Sequence, residues 1–507
     1  TMAHTINMDR LWSKYPHSEL SASGEAVGLP KGEVGNTEAG HINLGAGKIV
    51  YQDFARINVA IADQSFFENK ALVGAFEHAK KNNSNVHLIG LVGAGGVHSN
   101  IEHLFALIEI AKKLEFDRVF LHLFSDGRDS PQMAAKIYLA KIHEFIEKIG
   151  IGKIASIMGR YWPMDRDLRW ERTAKAYFAL TRGEGNLVKT PEEALETSYN
   201  KGVTDEFIEP SLIKNDQGQP LSLISQNDAV IFFNYRIDRP RQLTRSFVLK
   251  DFYQHSAEWG FDPYMVKYEK KHLPDIRLRI KPVFQRGNPI DNLYFATMTE
   301  YEHILVESGV NVAFPPEVVE MPLGRVISEN NFKQLRIAES EKERFISYYF
   351  DGGKGPFPHE DVVIIPSPKI PTYDLMPQMS AVEITKELLS RLVSGNGYYF
   401  IVVNFATPDM VGHTGNIGAT ATACQVVDEC LGQILTHVLE YQGALVIVGD
   451  HGNAEEMINL KTFKIDTEHS NNNVPFILVS NTFSSNAYSL ENGILADVAP
   501  TILKILG

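Results

Sequence analysis

The stretch ALVIVGDHGN, residues 444–453, decides how the rest of the chain is read. Its apolar run, Ala444-Val448, lies between Gly443 and Gly449 and is followed by Asp450, His451, Gly452 and Asn453. A short apolar run bounded by glycine is the pattern of a strand buried on both faces. The loop after the carboxyl end of such a strand is where open α/β sheets place their ligands. The design recurs: Phe400-Val403 runs into Asn404 and then Asp409-Met410-Val411-Gly412-His413, and Thr467-Glu468-His469-Ser470 precedes a strand at Phe476. One isolated His is more often a turn or core residue than a ligand, but three coincident Asp/His strand ends reverse those odds. Carboxylate oxygen and imidazole nitrogen suit Mn²⁺, Zn²⁺ or Mg²⁺, so the segments predict a site with room for two metals.

Outward from these segments, apolar runs alternate with helical periodicity. Val86-Val92, Val119-Phe124, Ile154-Met158, Ala229-Asn234, Val362-Ile365 and Phe476-Val479 join the two runs already quoted. Buried strands alternating with helices predict an α/β fold with mostly parallel sheets. Ser65 and Glu68 form a capping-box pattern ahead of Leu72, Phe76 and Ala79. Val427, Leu431, Leu435 and Val438 make a one-face core stripe that ends at Gly443. Gly32 to Lys48 is too rich in glycine to predict a helix interior, yet it holds one hydroxyl, Thr37, among polar neighbours. On a turn near a metal and a helix N-terminus, that hydroxyl can serve as a nucleophile toward an anion. Neither this segment nor Gly93-Ala94-Gly95-Gly96-Val97-His98 has the spacing of a P-loop or a dinucleotide turn. Lys250 to Asn292 breaks the rhythm with Tyr264, Tyr268, Lys270-Lys271-His272, Arg277, Arg279 and Gln285-Arg286-Gly287-Asn288-Pro289, and reads as an insertion or elaborated edge.

Arginine marks a second set of strand ends. Arg128 follows Val119-Phe124, Arg160 and Arg166 follow Ile154-Met158, and Arg236 and Arg239 follow Ala229-Asn234. Forked guanidinium groups at equivalent strand ends suit one small, highly anionic ligand. Composition limits the alternatives. The 507 residues are 44% hydrophobic, with mean hydropathy −0.15 and net charge −13, which argues against nucleic acid or an anionic membrane as a partner. Cys424 and Cys430 lie in an apolar helical stretch and read as core residues of a reducing compartment, and no long apolar segment or signal design is present, so the expected location is cytoplasmic.

Taken in order, Gly35-Asn36-Thr37-Glu38-Ala39-Gly40-His41, Gly95-Gly96-Val97-His98-Ser99, Asp126-Gly127-Arg128-Asp129, Gly159-Arg160-Tyr161 through Met164-Asp165-Arg166-Asp167, Asn234-Tyr235-Arg236-Ile237-Asp238-Arg239, Pro366-Ser367-Pro368-Lys369, Asp409-Met410-Val411-Gly412-His413-Thr414-Gly415 and Asp450-His451-Gly452-Asn453-Ala454-Glu455-Glu456 resemble the cofactor-independent (2,3-bisphosphoglycerate-independent) phosphoglycerate mutases of the alkaline phosphatase superfamily. The resemblance implies an alkaline-phosphatase-like α/β/α metal domain, residues 1–51 and 316–507, split around an inserted α/β phosphotransferase domain, residues 52–315, that binds substrate. It implies interconversion of 3-phosphoglycerate and 2-phosphoglycerate through a phosphothreonine, in glycolysis and gluconeogenesis, within a two-domain cleft that closes to exclude water. Two divalent ions would take part, Mn²⁺ first, with Mg²⁺ or Co²⁺ as alternatives, and no 2,3-bisphosphoglycerate.

Carried over by position, Asp409, His413 and His469 would hold one ion, and Asp450, His451 and Thr37 the other. Thr37, Asp129 and Lys342 would be catalytic, with Asp129 exchanging protons with the glycerate hydroxyls. His98, Arg128, Asp129, Arg160, Arg166, Arg236, Arg239 and Lys342 would hold the phosphoglycerate. The expected state is a monomer acting on a free small molecule, without nucleic acid or membrane. Three departures stand out. The family carries Ser at Thr37, whose extra methyl restricts χ1; it carries Ser-Asp at Gly93-Ala94; and its members begin with a strand ending in a ligating Asp-Gly, ahead of where this chain starts, so the expectation is a sequence truncated before Thr1. Competing readings are a metal-dependent phosphohydrolase or phosphopentomutase-like enzyme of the same superfamily, and a catalytically impaired homologue.

Overall fold

Strands form where apolar and β-branched residues run uninterrupted. In chain order the described strands are β1 (His17–Ser21), β2 (Val86–Val92), β3 (Val119–Ser125), β4 (Lys153–Gly159), β5 (Asn186–Val188), β6 (Ser211–Ile213), β7 (Ala229–Phe232) and β8 (Tyr294–Thr299). They continue with β9 (Asn311–Phe314), β10 (Gln334–Glu339), β11 (Glu360–Ile365), β12 (Phe400–Val403), β13 (Ala444–Val448), β14 (Val474–Ser480) and β15 (Gly493–Ile494). All eight runs read from the sequence are among them. The structure, a computed structural model, describes residues 2–93, 95–255, 283–459, 462–483 and 489–507. It divides into two compact units: Thr1–Ala55 with Glu317–Gly507, and Arg56–Pro316.

The unit Arg56–Pro316 is built on one eight-stranded sheet of order β5-β6-β4-β3-β2-β7-β8-β9. Every neighbouring pair is parallel except β4 with β6. Strand order reverses direction at β2 and β7, so the crevice beyond their carboxyl ends is the topological switch point. All seven residues of β2 are buried, as a central strand between two helix layers requires. A fully buried polar chain crosses the sheet. His87 Nε2 is 3.1 Å from Asp228 Oδ2, His87 Nδ1 is 2.9 Å from His122 Nε2, and His122 Nδ1 is 2.8 Å from Ser156 Oγ. A carboxylate can only accept and Nε2 is the atom facing it, so each group in the chain donates once toward Asp228. The β3–β4 register shifts between Leu121 and His122, which brings Ser156 opposite His122.

The other unit holds two sheets. In the first, β10 lies between β11 and β12, all parallel. In the second, of order β13-β14-β1-β15, β14 runs antiparallel to both β13 and β1. Pairing in the chain is mostly parallel, as the sequence predicts, and this sheet holds the main exception. The described residues between β13 and β14 form only turns and bridges, Gly452 with Ser470 and Ile458 with Ile465, and without a crossover helix the chain returns antiparallel. Ile401, Val403 and Leu445 pack with Leu335, Ile337, Ile384 and Ile434 in one cluster, so strands of both sheets share a core with the helices Ala381–Val393 and Ile417–Glu440. Among the described residues, β12 and β13 are each paired on one side only. No helix of the described residues is long and apolar enough to cross a membrane.

Two local expectations are corrected. Thr37–Ala46 is an α-helix despite its glycines, capped by Asn36, whose side chain accepts from Ala39 N, and ended by Gly47 at φ 65°. A Cβ on Gly40 would lie 2.4 Å from Asp450 O, and one on Gly45 1.8 Å from Phe350 O. These glycines therefore let the helix touch other backbones, and do not mark a loop. Ser65–Glu68 forms a 3₁₀ turn, and the helix Lys70–Asn82 is capped by Asn69, which accepts from Ala71 N and Leu72 N. Of the stretch read as a polar elaborated edge, Tyr264, Tyr268, Lys270, Lys271, His272, Arg277 and Arg279 lie outside the described residues. Its described end packs inward. Arg286 is buried, donates to Ser246 O at 2.9 Å and sits 5.0 Å from the Phe252 ring centre.

Candidate functional site

The split unit gathers its chemistry around Thr37. This residue opens the helix Thr37–Ala46, and its Oγ1 accepts from Lys342 Nζ at 2.8 Å and lies 2.9 Å from His451 Nε2. Lys342 Nζ is also 2.5 Å from Asp409 Oδ2. Asp409 lies in the short helix Thr407–Gly412 after β12, His413 caps that helix, and Asp450 and His451 follow β13. Asp409 Oδ1 is 3.1 Å from His413 Nε2, 3.2 Å from His469 Nε2 and 3.9 Å from His451 Nε2. His451 Nε2 is 3.5 Å from Asp450 Oδ2. Asn453 Nδ2 donates to Asp409 Oδ1 at 2.9 Å.

Whether these residues suit a cation is decided by the far side of each ring. Nδ1 of His413 lies 2.7 Å from Thr467 O, that of His469 lies 2.7 Å from Gly35 O, and that of His451 lies 3.3 Å from Gly452 O. Carbonyl oxygens only accept, so each Nδ1 carries the proton and each Nε2 presents a lone pair inward. The Nε2 atoms of His413 and His469 are 3.1 Å apart beside the Asp409 carboxylate. Acceptors crowded so closely need protons or a metal between them. Asp409, His451 and His469 offer ligand atoms that all lie within 4.8 Å of one another. The donor set therefore fits a divalent cation of the Mn²⁺ or Zn²⁺ type. Its electrostatics agree. Burial works against the Asp409 charge, but His413 and His469, which donate to it through Nε2 once they take up a second proton, and the Lys342 charge hold the carboxyl far below its usual range. Burial likewise opposes ionisation of Asp450, and His451 and His41 outweigh it. The Asp409 hydrogen bond raises His413, and burial lowers His451.

The unit Arg56–Pro316 holds the arginines at the sheet's carboxyl edge. A cavity of about 260 Å³ is lined by Arg128, Arg160, Arg166, Arg239, Tyr161 and Glu206, with Arg169 and Arg172 on the same wall. Arg160 is buried and donates to Asp126 Oδ1 at 2.6 Å and Asp129 Oδ2 at 2.5 Å. Arg166 donates to Asp238 Oδ2 at 2.7 Å, and Arg236 Nε is 3.2 Å from Asp238 Oδ1. His98 sits between them, 3.7 Å from both Asp129 and Asp238. Burial pushes His98 down to about 3, helped by the charges of Arg160, Arg236 and Arg239, so it is a neutral ring at pH 7. Arg239 donates to Met164 O at 3.1 Å, and burial and the neighbouring arginines lower it to about 10, which leaves it charged. Burial opposes the Asp129 charge, but the Arg160 hydrogen bond keeps the carboxyl low, so it is ionised and acts as an acceptor.

Six residues expected to hold or touch metals, Thr37, Asp409, His413, Asp450, His451 and His469, lie together in the split unit, and seven expected substrate ligands lie together in the other. The eighth, Lys342, belongs to the split unit, where its ammonium sits on Thr37 and Asp409. His451 spans the two expected ligand groups, facing both Asp409 and Asp450. Ala94 lies outside the described residues. Sequence reasoning missed His41, Asn404 and Asn453 in one unit and Asp126, Asp238, Arg169 and Arg172 in the other. His41 stands four residues after Thr37, a same-face spacing visible only once the segment is read as helix.

A family model described as BPG-independent PGAM N-terminus matches residues 57–303. The 2,3-bisphosphoglycerate-independent phosphoglycerate mutase of Moorella thermoacetica is 47% identical over 501 residues, covering 99% of this chain and 90% of the relative. The protein of the same name from Clostridium kluyveri is 46% identical over 507 residues, covering 100% and 92%. A solved structure, of Leishmania mexicana phosphoglycerate mutase at low cobalt concentration, aligns with TM-score 0.58 at 27% identity, covering 100% of this chain and 91% of the other. Identity of this size over nearly the whole length assigns the chain to the 2,3-bisphosphoglycerate-independent phosphoglycerate mutase family.

Proposed function

We propose that this chain interconverts 3-phosphoglycerate and 2-phosphoglycerate by passing the phosphoryl group through Thr37. The observation that carries the proposal is the buried Thr37 hydroxyl, 2.8 Å from Lys342 Nζ and 2.9 Å from His451 Nε2 at the N-terminus of a capped helix. Lys342 can only donate to Oγ1, which leaves the hydroxyl proton directed at the His451 Nε2 lone pair in this structure; once that lone pair holds a cation, the hydroxyl gives up its proton and its oxygen is left for attack. The helix N-terminus and the Lys342 ammonium both favour the negative phosphoryl oxygens that gather there. Divalent ions, Mn²⁺ the first to test, would be held by Asp409, His413, His469, Asp450 and His451 with Thr37, and would supply acidification of the hydroxyl and neutralisation of phosphoryl charge.

Arg128, Arg160, Arg166, Arg236 and Arg239 hold the carboxylate and phosphate of the substrate, with His98 a neutral hydrogen-bond partner. Asp129, ionised against Arg160, takes and returns the proton of the glycerate hydroxyls. This reading makes the protein a cytoplasmic monomer that needs no 2,3-bisphosphoglycerate. The test is to incubate Mn²⁺-loaded protein with 3-phosphoglycerate alone and score products. Appearance of 2-phosphoglycerate, its loss in Thr37→Ala, and a trapped phosphate mapping to Thr37 support the proposal. Free phosphate alone makes the protein a phosphohydrolase, and no product makes it an impaired homologue. A phosphate on another residue refutes the role of Thr37.

A further inference from the structure

His41 is 4% exposed and lies one helical turn after Thr37. Its Nδ1 is 3.0 Å from Thr37 O and 3.2 Å from Asp450 Oδ2. Both neighbours are acceptors, so this nitrogen carries a proton. Its Nε2 lies 3.1 Å from the Asn404 amide nitrogen, which donates. Asn404 follows β12 directly, and its own backbone N–H donates to Ile337 O of β10 at 3.0 Å. A continuous line of polar contacts therefore runs from β10 through Asn404 and His41 to the carboxylate at the end of β13. That line links the two separate sheets of this unit at the Asp450 side chain. The approach depends on Gly40, since a Cβ there would lie 2.4 Å from Asp450 O and 2.9 Å from Asp450 Cβ. The Phe345 ring, 5.9 Å away between centroids, packs against the imidazole.

We infer that His41, oriented by Asn404, is a positioning residue that fixes the Asp450 carboxylate for cation binding. The protonated Nδ1, anchored on Thr37 O and 3.2 Å from Oδ2, sets the plane of the carboxylate, and a partner of this kind behind a ligand contributes about 10–100-fold in metal affinity where it has been removed. The inference rests on the proposed reading of Asp450 as a metal ligand, and the experiment separates the two.

Mn²⁺ binding to the full chain is measured by titration calorimetry for the parent and for D450N, H41L, H41N and N404A, with the melting temperature of each in chelator as a control for folding. In H41N the Asn amide takes the place of Nδ1 and keeps the donor to Asp450, whereas Leu removes it. The expected result is one Mn²⁺ site weakened about 10–100-fold in H41L, restored to within a few fold in H41N, weakened to a lesser degree in N404A, and the remaining site unchanged. If the parent binds no Mn²⁺, or D450N binds like the parent, the metal reading of Asp450 is wrong. If D450N loses a site while H41L and N404A bind like the parent, or if H41N and H41L are equally weak, the positioning role is wrong. Should H41L fail to fold in chelator, N404A decides by the same criterion.

Discussion

Replacing Gly45 by Ala tests the helix that carries Thr37. An added Cβ would lie 1.8 Å from Phe350 O, 2.7 Å from Phe350 C and 3.1 Å from Phe350 Cα. Carbon-to-oxygen contacts settle at about 3.3 Å or more, so helix and strand connection must part by about 1.5 Å, and the obstacle is backbone that cannot rotate away. Two effects oppose each other. Ala is favoured over Gly inside a helix by about 1 kcal/mol, whereas overpacking costs about 1–3 kcal/mol, at the upper end when backbone must move. The clash wins, with a net destabilisation of about 2 kcal/mol. Gly418 is the matched control, since it lies in the helix Ile417–Glu440 and a Cβ there meets only Asn416 Oδ1 at 3.7 Å. G418A should be neutral or stabilised by up to about 1 kcal/mol.

Urea unfolding followed by hydrogen exchange of peptides from the split unit reads the difference. For a slope of about 2 kcal/mol/M, G45A should lower the midpoint by about 1 M and G418A should leave or raise it. Mutase turnover should fall about 10²-fold in G45A, because displacing a nucleophile by an ångström has that effect. A G45A midpoint equal to or above the parent's would refute the close approach of this helix to Phe350.

Lys342→Met should lower kcat by about 10²–10³-fold with little change in KM, as for a donor that acts on developing charge; a change confined to KM would return Lys342 to simple substrate holding. Burial pushes His98 and His103 down to about 3 and holds His122 well below its ordinary value. These rings stay neutral in the folded unit while the unfolded chain protonates below about 6.5, so stability is lost as pH falls from about 6.5 toward 3. H103Q, which retains a donor to Asn58 Oδ1 and cannot charge, should flatten that dependence in midpoint measurements across this range, and an unchanged slope would contradict it. In the opposite direction, burial and the Glu360 charge push Asp351 up to about 8 in spite of Arg336, 3.2 Å away. The folded chain keeps a proton that the unfolded chain releases above about 4, so stability falls as pH rises from about 4 to about 8. D351N should abolish this loss, and a D351N protein with the parent's slope between about pH 4 and 8 would show that Asp351 is ionised.

How much of this was legible in the sequence can be judged element by element. The eight apolar runs form strands because burial on two faces demands continuous apolar side chains, a property read directly from composition over a few residues. Arg128, Arg160 and Arg236 were placed correctly past strand ends for the same reason. The segment Gly32 to Lys48 misleads because a glycine count measures local helix cost, about 1 kcal/mol each, and carries no information on the Asp450 and Phe350 backbones that only glycine can admit. The capping pattern Ser65–Glu68 misleads in a similar way, since Asn69 competes for the same helix and wins by reaching Ala71 and Leu72 directly. His41, Asn404 and Asn453 escaped notice because a residue behind a ligand has no spacing rule relative to it.

By itself, then, the sequence determined which segments are strands, which residue types stand at their carboxyl ends, and that those types suit metal ions and a small anion. These are local matters of hydrophobic pattern and side-chain chemistry. Only the tertiary structure decided that Thr37 meets His451, 414 residues away, and Lys342, 305 residues away, and that β14 turns back antiparallel. Such pairings depend on which backbones can approach which, a property of the packed whole that no short window of residues contains.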